Sequence, residues 1–509
     1  MSMSLYNKTE LDFSSSIPEP TTPTQHPVTL SPRLHNHDLA PTRAEGRRWG
    51  RYSIFALWTN DVHNIANYSF AMGLYAMGLG GWQILLSLGI GAALVYFFMN
   101  LSGYMGQKTG VPFPVMSRIA FGIHGAQIPA LIRAVIAIAW FGIQTYLASV
   151  VLRVLLTAIA PGLAAYDQDS ILGLSSLGWV CFVAIWLVQL VILAYGMEMV
   201  RRYEAFAGPV ILLTVTCLAG YMYTQAGFEI AWSVREPLSG AAMWHNIFAG
   251  GALWLAIYGT LVLNFCDFAR SSPCRKTIRS GNFWGLPGNI LAFAVISVVL
   301  CGAQFKINGQ IIDSPTQIIA SIPNTFFLVL GCLAFLIVTV AVNIMANFVA
   351  PAFVLSNLAP RLLNFRRAGM ISATLAVLIL PWNLYNSPLV IMYFLSGLGA
   401  LLGPLYGVIM VDYWLVRRGR VNVPELYSED PKAAYHYRRG VNPRALLAFI
   451  PAALLAIVLA LVPNFETLAP FSWMIGAGIA GLLYLLCAPR NQQYLDVSGE
   501  SIAVDSASH

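Results

Sequence analysis

Four polar side chains lie inside segments that are otherwise long and apolar: Asn64, Trp140, Gln144 and Asn347. Polar groups are costly at membrane depth unless they find partners or line a cavity, so these four are candidates for a solute-binding site. An amide offers a donor and an acceptor, and an indole offers a flat stacking face. Together they suit a planar, uncharged ring that carries N–H and C=O groups. Alternatively, each amide could simply join helices, as Asn and Gln often do in membranes.

Two ionisable residues, Asp61 and His63, lie just before Asn64 in the polar run 58–64. Both side chains can carry a proton, and ionisable groups inside membrane segments are frequently functional. They are therefore candidates for coupling solute movement to an ion gradient. The alternative is a hydrogen-bonded helix break that has no part in coupling.

The candidate residues lie in segments with the composition of membrane spans. The chain has 509 residues, of which 57% are hydrophobic and only 10% are charged, and its mean hydropathy is +0.67. Soluble domains carry about 25% charged residues, so the composition predicts an all-α polytopic membrane protein. Its seven cysteines are scattered without a CxxC pair, which argues against a disulfide framework and a zinc site. We expect no cofactor, no metal and no nucleic-acid partner.

Twelve apolar stretches are long enough to cross a bilayer, which takes about 20 residues. They lie near residues 53–79, 82–105, 126–159, 177–197, 203–227, 241–264, 283–305, 325–356, 369–386, 389–415, 444–463 and 470–488. With a cytoplasmic N-terminus, the inside loops carry 23 basic residues and the outside loops carry two, Arg235 and Lys306. This positive-inside bias predicts a cell-membrane protein with both termini cytoplasmic.

The layout predicts four regions: a disordered, Ser/Thr/Pro-rich N-terminal tail at 1–42, a ten-helix core at 43–415, a cytoplasmic loop with helices 11 and 12 at 416–488, and a C-terminal cytoplasmic tail at 489–509. Two spans look interrupted, the first at Trp58–Asn64 and the sixth at Phe248–Gly251, with an end at Asn264–Asp267. They are five spans apart, as expected if residues 53–227 and 241–415 are inverted repeats that each open with a broken helix.

Several ordered motifs resemble the nucleobase:cation symporter-1 family, which includes permeases for hydantoins, allantoin, uracil and cytosine. The motifs are Gly403–Gly407 with Asp412-Tyr413 and Arg417-Arg418, Trp140–Gln144, Ala346–Pro351, Asn264 with Asp267–Arg270, and Val62–Asn64 with Tyr68. The resemblance runs from about residue 40 to 488. It implies a leucine-transporter-like 5+5 inverted repeat followed by two extra helices.

The resemblance also implies a substrate site, because the family's binding residues match Asn64, Trp140, Gln144 and Asn347. A second stacking aromatic on span 6 would be Tyr258, with Trp254 as the alternative. Asp267 and Asp412, which lie beside arginines near the cytoplasmic ends of spans, are interpreted as gate or anchor ion pairs.

The coupling ion is predicted from two positions at which this sequence departs from the family's pattern. Sodium-coupled members use two hydroxyls on span 8, and the matching residues here are Ala341 and Val342, which have none. A sodium ion prefers oxygen ligands, so proton coupling through Asp61 or His63 is favoured. The resulting prediction is a monomeric symporter for a neutral nucleobase or cyclic ureide such as uracil, allantoin or hydantoin.

Three alternatives to this prediction differ in class. An amino-acid or amine transporter of the same fold could use Asp61 to bind the amine, and a nucleobase symporter could be coupled to sodium instead. An enzyme is disfavoured because the sequence has no HExxH motif, no paired carboxylates at useful spacing and no phosphate loop.

Overall fold

The computed structural model describes residues 28–233, 236, 238–310, 317, 320, 324–387, 396–489 and 492–504, and helices dominate this part of the chain. The principal helices, numbered in chain order, are α1 Arg51–Val62, α2 Ile65–Ala76, α3 Gly81–Thr109, α4 Gln127–Ile159, α5 Ser176–Ala194, α6 Gly196–Gln225, α7 Gly240–Ile257, α8 Gly259–Asn264, α9 Arg275–Asn308, α10 Thr325–Leu358, α11 Phe365–Leu378, α12 Gly397–Val416, α13 Pro443–Leu461 and α14 Ser472–Cys487. Within the described ranges β-structure is limited to isolated bridges.

Within the described residues, nine helices are long and apolar enough to cross a membrane. The three other predicted spans correspond to the broken pairs α1–α2 and α7–α8 and to α11, which has 14 residues. The predicted tenth span, near 389–415, begins with residues 389–395, which lie outside the described residues; its remainder is α12.

The first span is interrupted at His63 and Asn64, as the sequence predicts. Asn64 caps α2, because its Oδ1 accepts from the backbone N–H of Asn67 at 3.0 Å. The break frees carbonyl groups at the end of α1, and the carbonyl of Asp61 accepts from Asn64 Nδ2 at 2.6 Å and Asn67 Nδ2 at 2.8 Å. The local amides therefore satisfy polar groups that lipid could not.

The sixth span is interrupted at Tyr258, between α7 and α8, so the predicted break at Phe248–Gly251 is wrong. Gly250 and Gly251 lie in the continuous helix α7, where a side chain on Gly250 would clash with the hydroxyl of Ser87 on α3. Glycine is needed there for close helix packing, which is a common use of small residues in membranes.

The helix α10 contains one π-helical turn, Asn343–Phe348. Pro351 follows it and has no N–H to offer the carbonyl of Asn347 four residues earlier, which disturbs the regular α-helical ladder. Such π turns widen the helix locally and occur often at functional sites.

The connection between α5 and α6 is a single residue, Tyr195, followed by Gly196 at φ 75°. The sequence predicts a loop at residues 198–202, but the left-handed conformation of Gly196 makes a tight turn possible there instead. The helix α6 therefore begins earlier than predicted, and Glu204 lies in its third turn.

Residues 28–42, the N-terminal segment, are packed onto the bundle, so the prediction of a disordered tail is wrong for this part; residues 1–27 lie outside the described residues. Leu39 and Ala40 are fully buried. Arg118 Nη2 donates to the carbonyl of Leu34 at 2.9 Å, and Tyr427 Oη donates to the carbonyl of Leu39 at 2.6 Å. Apolar side chains and captured carbonyls together order a segment whose composition is mainly polar.

Candidate functional site

The breaks of both interrupted spans border a cavity of about 570 Å³. Four of the residues singled out from the sequence line it together: Asn64 at the α1–α2 break, Trp140 and Gln144 on α4, and Asn347 in the π turn of α10. Further walls come from α7, α8, α12 and the segment before α14. The cavity reaches Glu466 and Pro470, at the end of the bundle opposite the two chain termini.

Asn347 is held in place by a chain of hydrogen bonds behind it. Its Nδ2 donates to Asn343 Oδ1 at 3.0 Å, and Asn343 Nδ2 donates to Gln189 Oε1 at 2.6 Å and Thr145 Oγ1 at 3.0 Å. Gln189 in turn donates to Thr145 at 3.1 Å. The amide oxygen of Asn347 remains available to a bound molecule, in an orientation fixed by α4, α5 and α10.

Trp140 and Gln144 are four residues apart and therefore on one face of α4. In the described part of the chain, the Gln144 amide has no hydrogen-bond partner although the residue is 5% exposed. The Trp140 indole likewise has neither a hydrogen bond nor a ring contact with another described side chain. A buried amide that faces a cavity without a partner is suited to recognise a polar ligand.

Asn64 contributes to the cavity wall and to the helix break at once. Its Nδ2 and Oδ1 are both used within the break, by the Asp61 carbonyl and the Asn67 N–H. An amide has two donor hydrogens and two acceptor lone pairs, so one of each is left for a ligand.

The second aromatic ring that lines the cavity is not the one expected from the sequence. Neither Tyr258 nor Trp254 is among the cavity-lining residues; both are buried, with ring centroids 5.5 Å apart. The described lining residues include one aromatic besides Trp140, which is Trp473 on α14. Its indole Nε1 is buried without a hydrogen-bond partner, and its ring packs on Phe98 and Tyr406.

The two ionisable candidates near the break face different surroundings. Asp61 lines the cavity, and its carboxyl lies beside the Tyr258 hydroxyl at the other break. His63 is fully buried away from the cavity lining, with Nδ1 2.9 Å from Tyr68 Oη and its ring against Phe293. The geometry therefore separates a cavity-facing carboxyl from a packed imidazole.

The described lining of the cavity carries two acidic side chains, Asp61 and Glu466, and no lysine, arginine or histidine. Thr260, one residue after the start of α8, adds a hydroxyl that the sequence interpretation did not assign. Val342 is part of the wall and Ala341 is fully buried, so neither position offers a side-chain oxygen to the cavity.

A buried arginine, Arg133 on α4, ties this site to the end of the bundle that carries the termini. Its Nε donates to Asn264 Oδ1 at 3.1 Å, and its Nη2 donates to the carbonyl of Ala346 at 2.7 Å. Asn264 Nδ2 donates to Asp267 Oδ2 at 2.8 Å, while Asp267 Oδ1 accepts from the N–H of Phe113 at 2.6 Å. The sequence interpretation missed Arg133, although an arginine in the first half of the apolar span 126–159 was a usable signal.

Of the ion pairs predicted for Asp267 and Asp412, the described structure contains the one at Asp412. Asp412 pairs with Arg417 at 2.8 Å, and both side chains are buried, so this predicted ion pair is confirmed. Asp267 forms no ion pair with a described arginine, because its oxygens bind Asn264 and the Phe113 N–H instead. Arg270 donates to Thr42 and to the carbonyls of Asp38 and Ala40 in the N-terminal segment.

Known proteins resemble the chain over nearly its whole length. A sequence profile described as permeases for cytosine and purines, uracil, thiamine and allantoin matches residues 41–476. The allantoin permease of Bacillus subtilis (strain 168) is 35% identical over 464 residues, covering 90% of this chain and 93% of its own. The purine-uracil permease NCS1 of Arabidopsis thaliana is 31% identical over 438 residues, covering 86% and 72%.

Two solved structures share the fold. The nucleobase-cation-symport-1 family transporter Mhp1, in a closed conformation with bromovinylhydantoin bound, superposes with a TM-score of 0.72 at 23% identity and covers 89% of this chain and 95% of its own. A Na⁺-coupled sialic acid symporter in a substrate-bound outward-open state has a TM-score of 0.61 at 12% identity, covering 91% and 94%. These likenesses confirm the predicted all-α, leucine-transporter-like fold class. The chain belongs to the nucleobase:cation symporter-1 family, and it is a membrane permease, not an enzyme.

Proposed function

We propose that this permease takes up a neutral, planar ring with N–H and C=O groups, such as allantoin, uracil or hydantoin, together with a proton. The observation that supports this most directly is the cavity, which gathers Trp140, Gln144 and Asn347 with unused stacking and hydrogen-bonding capacity. Amides paired with an indole match the edge and face of such a ring.

The charge of the cavity argues against an anionic substrate. Its described lining has two carboxyls and no basic group, which disfavours carboxylate and phosphate ligands by like-charge repulsion. Ring stacking on Trp140 would add roughly 1 kcal/mol beyond simple burial. Trp473 is the second ring we favour, because it lines the cavity while Tyr258 does not.

Proton coupling is supported by the residues around the first break. Ala341 and Val342 supply no hydroxyl for a sodium shell, and the cavity-facing Asp61 is titratable. A sodium-coupled symporter remains an outcome of the test. We further propose that the protein works as a monomer in the cell membrane, with both termini cytoplasmic and with the lipid bilayer as its surroundings.

Substrate class is tested by uptake into proteoliposomes. Radiolabelled uracil, allantoin, hydantoin, cytosine and purines are compared with a neutral and a cationic amino acid. Saturable uptake of one or more rings is expected, inhibited by the other rings more strongly than by either amino acid. Stronger competition by an amino acid or amine would support an amine transporter that uses Asp61.

The coupling ion is tested in the same vesicles. Initial uptake is measured across external pH, then with sodium replaced by choline, and then with a protonophore. We expect uptake to rise with an inward proton gradient, to persist in choline and to lose its gradient dependence with the protonophore. Uptake that needs sodium and survives the protonophore would contradict proton coupling.

A further inference from the structure

A carboxyl group on α6, Glu204, is buried at membrane depth outside the cavity lining. The residue is 1% exposed. A carboxylate taken out of water is costly unless a cation or several donors neutralise it. Among the described residues no lysine, arginine or histidine neutralises Glu204. Packing alone does not explain a residue of this type at this place.

The partner of Glu204 is the amide of Asn60 on α1. Asn60 Nδ2 donates to Glu204 Oε2 at 2.6 Å and to the Glu204 carbonyl at 2.9 Å. The two remaining oxygens of the pair, Glu204 Oε1 and Asn60 Oδ1, are buried and have no hydrogen-bond partner among the described residues. Both are acceptors, so the contact lacks a donor.

One proton would supply the missing donor. A carboxyl group protonated at Oε1 has an O–H to give, and the amide that already binds Oε2 holds an unused acceptor, Oδ1. An acid and an amide paired in this way exchange two hydrogen bonds. The observed arrangement therefore suits a neutral Glu204 better than a charged one, because a buried acceptor left without a donor is unfavourable.

The charged groups around Glu204 also favour its neutral form. Asp61, which follows Asn60 on α1, lies close enough for its charge to act on Glu204, and Tyr203 is the titratable neighbour on α6 itself. The other helices packed against α6 are α5, α9 and α10, and no charged group described on them acts on Glu204. Two carboxylates without a cation repel strongly in a low dielectric, so a shared proton is favoured.

Building on the proton-coupled symport proposed above, we propose that Glu204, paired with Asn60, carries the coupling proton. The proton reaches Oε1 from the cavity by way of Asp61 and leaves to water on the other side of the membrane. Asn60 and the cavity residues Asp61 and Asn64 belong to one interrupted span. Substrate binding at the break and protonation at the α1–α6 contact therefore both affect the interrupted span α1–α2. Loss of the proton removes a hydrogen bond across that contact and favours its rearrangement.

The variant Glu204→Gln tests this role, because glutamine is neutral, has nearly the same shape and cannot release a proton. Reconstituted protein is assayed for exchange of labelled against unlabelled ring substrate, for accumulation driven by a proton gradient, and for substrate-induced proton movement seen by a pH dye inside the vesicles. We expect exchange to be retained, accumulation to fall to equal concentrations on both sides, and proton movement to disappear.

Glu198→Gln is the matched control on the same helix. Glu198 is about a quarter exposed and pairs with Arg201 at 2.6 Å and Arg202 at 3.0 Å. This variant is expected to keep exchange, accumulation and proton movement. A loss of accumulation in both variants would mean that the effect is not specific to Glu204 and would overturn the proposal.

Asn60→Ala provides a second test that does not depend on the folding of Glu204→Gln. Removing the amide takes away both the donor to Oε2 and the acceptor for a proton on Oε1, so the pH at which accumulation is half-maximal should change by about one unit. An unchanged pH profile in Asn60→Ala would overturn the proposal, as would proton-driven accumulation by Glu204→Gln. Loss of exchange in a Glu204→Gln protein that keeps wild-type thermal stability would also overturn it, by assigning Glu204 to substrate binding.

These outcomes are separate from a failure of the proposed function. Sodium-dependent uptake by the wild-type protein that survives a protonophore contradicts proton coupling itself. If a proton gradient drives substrate accumulation equally well in the wild-type protein and in Glu204→Gln, this contradicts only the assignment of Glu204 as the proton carrier.

Discussion

The guanidinium of Arg133 donates to the backbone carbonyl of Ala346 at 2.7 Å, and Ala346 directly precedes the cavity residue Asn347. The same guanidinium binds Asn264 at the end of α8, whose other end borders the cavity at Thr260. One buried side chain therefore joins α4 to the irregular turns of both α8 and α10. The two turns therefore share one buried hydrogen-bond donor, Arg133.

Replacing Arg133 by methionine should lower both thermal stability and uptake. The change leaves the Ala346 carbonyl and the Asn264 amide without their charged donor, at a cost of about 1.5–3 kcal/mol for each bond. Thermal unfolding in detergent and initial uptake rates measure the two effects. Arg153→Met on the same helix is the control, because Arg153 is one-third exposed and its ion pair with Asp167 contributes about 0–1 kcal/mol. Equal effects of the two substitutions would argue against a special role for Arg133.

Gln144→Ala should raise the KM for the transported ring roughly 2- to 13-fold, which corresponds to the loss of one hydrogen bond of about 0.5–1.5 kcal/mol. Thermal stability should hardly change, since the Gln144 amide has no hydrogen-bond partner among the described residues. Asn246→Ala on α7 is a suitable control, because within the described ranges the Asn246 side chain bonds only to the Ala242 carbonyl of its own helix. A wild-type KM in Gln144→Ala would remove this residue from the site.

The fold class and the cavity residues on α4 and α10 could be predicted because their signals are local. Hydropathy and the spacing of Trp140 and Gln144 are properties of one helix. The break at Tyr258 could not be placed, since the glycines at 250 and 251 look like helix breakers in the sequence but pack against α3 in the structure. Arg133 and Glu204 were missed because their roles depend on partners 131 and 144 residues away.

The N-terminal segment should matter for stability. Leu39→Ala removes a fully buried side chain and should lower the free energy of unfolding by about 2–5 kcal/mol. Arg33→Ala in the same segment should have little effect, since the Arg33 side chain is 71% exposed. Thermal unfolding in detergent compares the two variants. Equal stability of both would mean that the segment contributes no packing energy.

Gly407→Ala on α12 should be destabilising by about 1–3 kcal/mol, because the added methyl group would clash with the carbonyl of Ala477 on α14. Gly478→Ala on α14 is the matched control. A methyl group at residue 478 meets nothing within 4 Å, so helix propensity makes this change neutral or favourable. If Gly407→Ala unfolds at the wild-type temperature, the backbones of α12 and α14 are farther apart than in the structure.

The contact between α12 and α14 also limits how the molecule can change shape. Gly403 and Gly407 bring the two backbones so close that carbonyls of α14 occupy the space of missing side chains. Packed surfaces of this kind do not slide by fractions of a residue without losing their fit. The last two helices should therefore travel with α12 as one rigid body. Since Trp473 on α14 lines the cavity, that wall then shifts whenever α12 tilts.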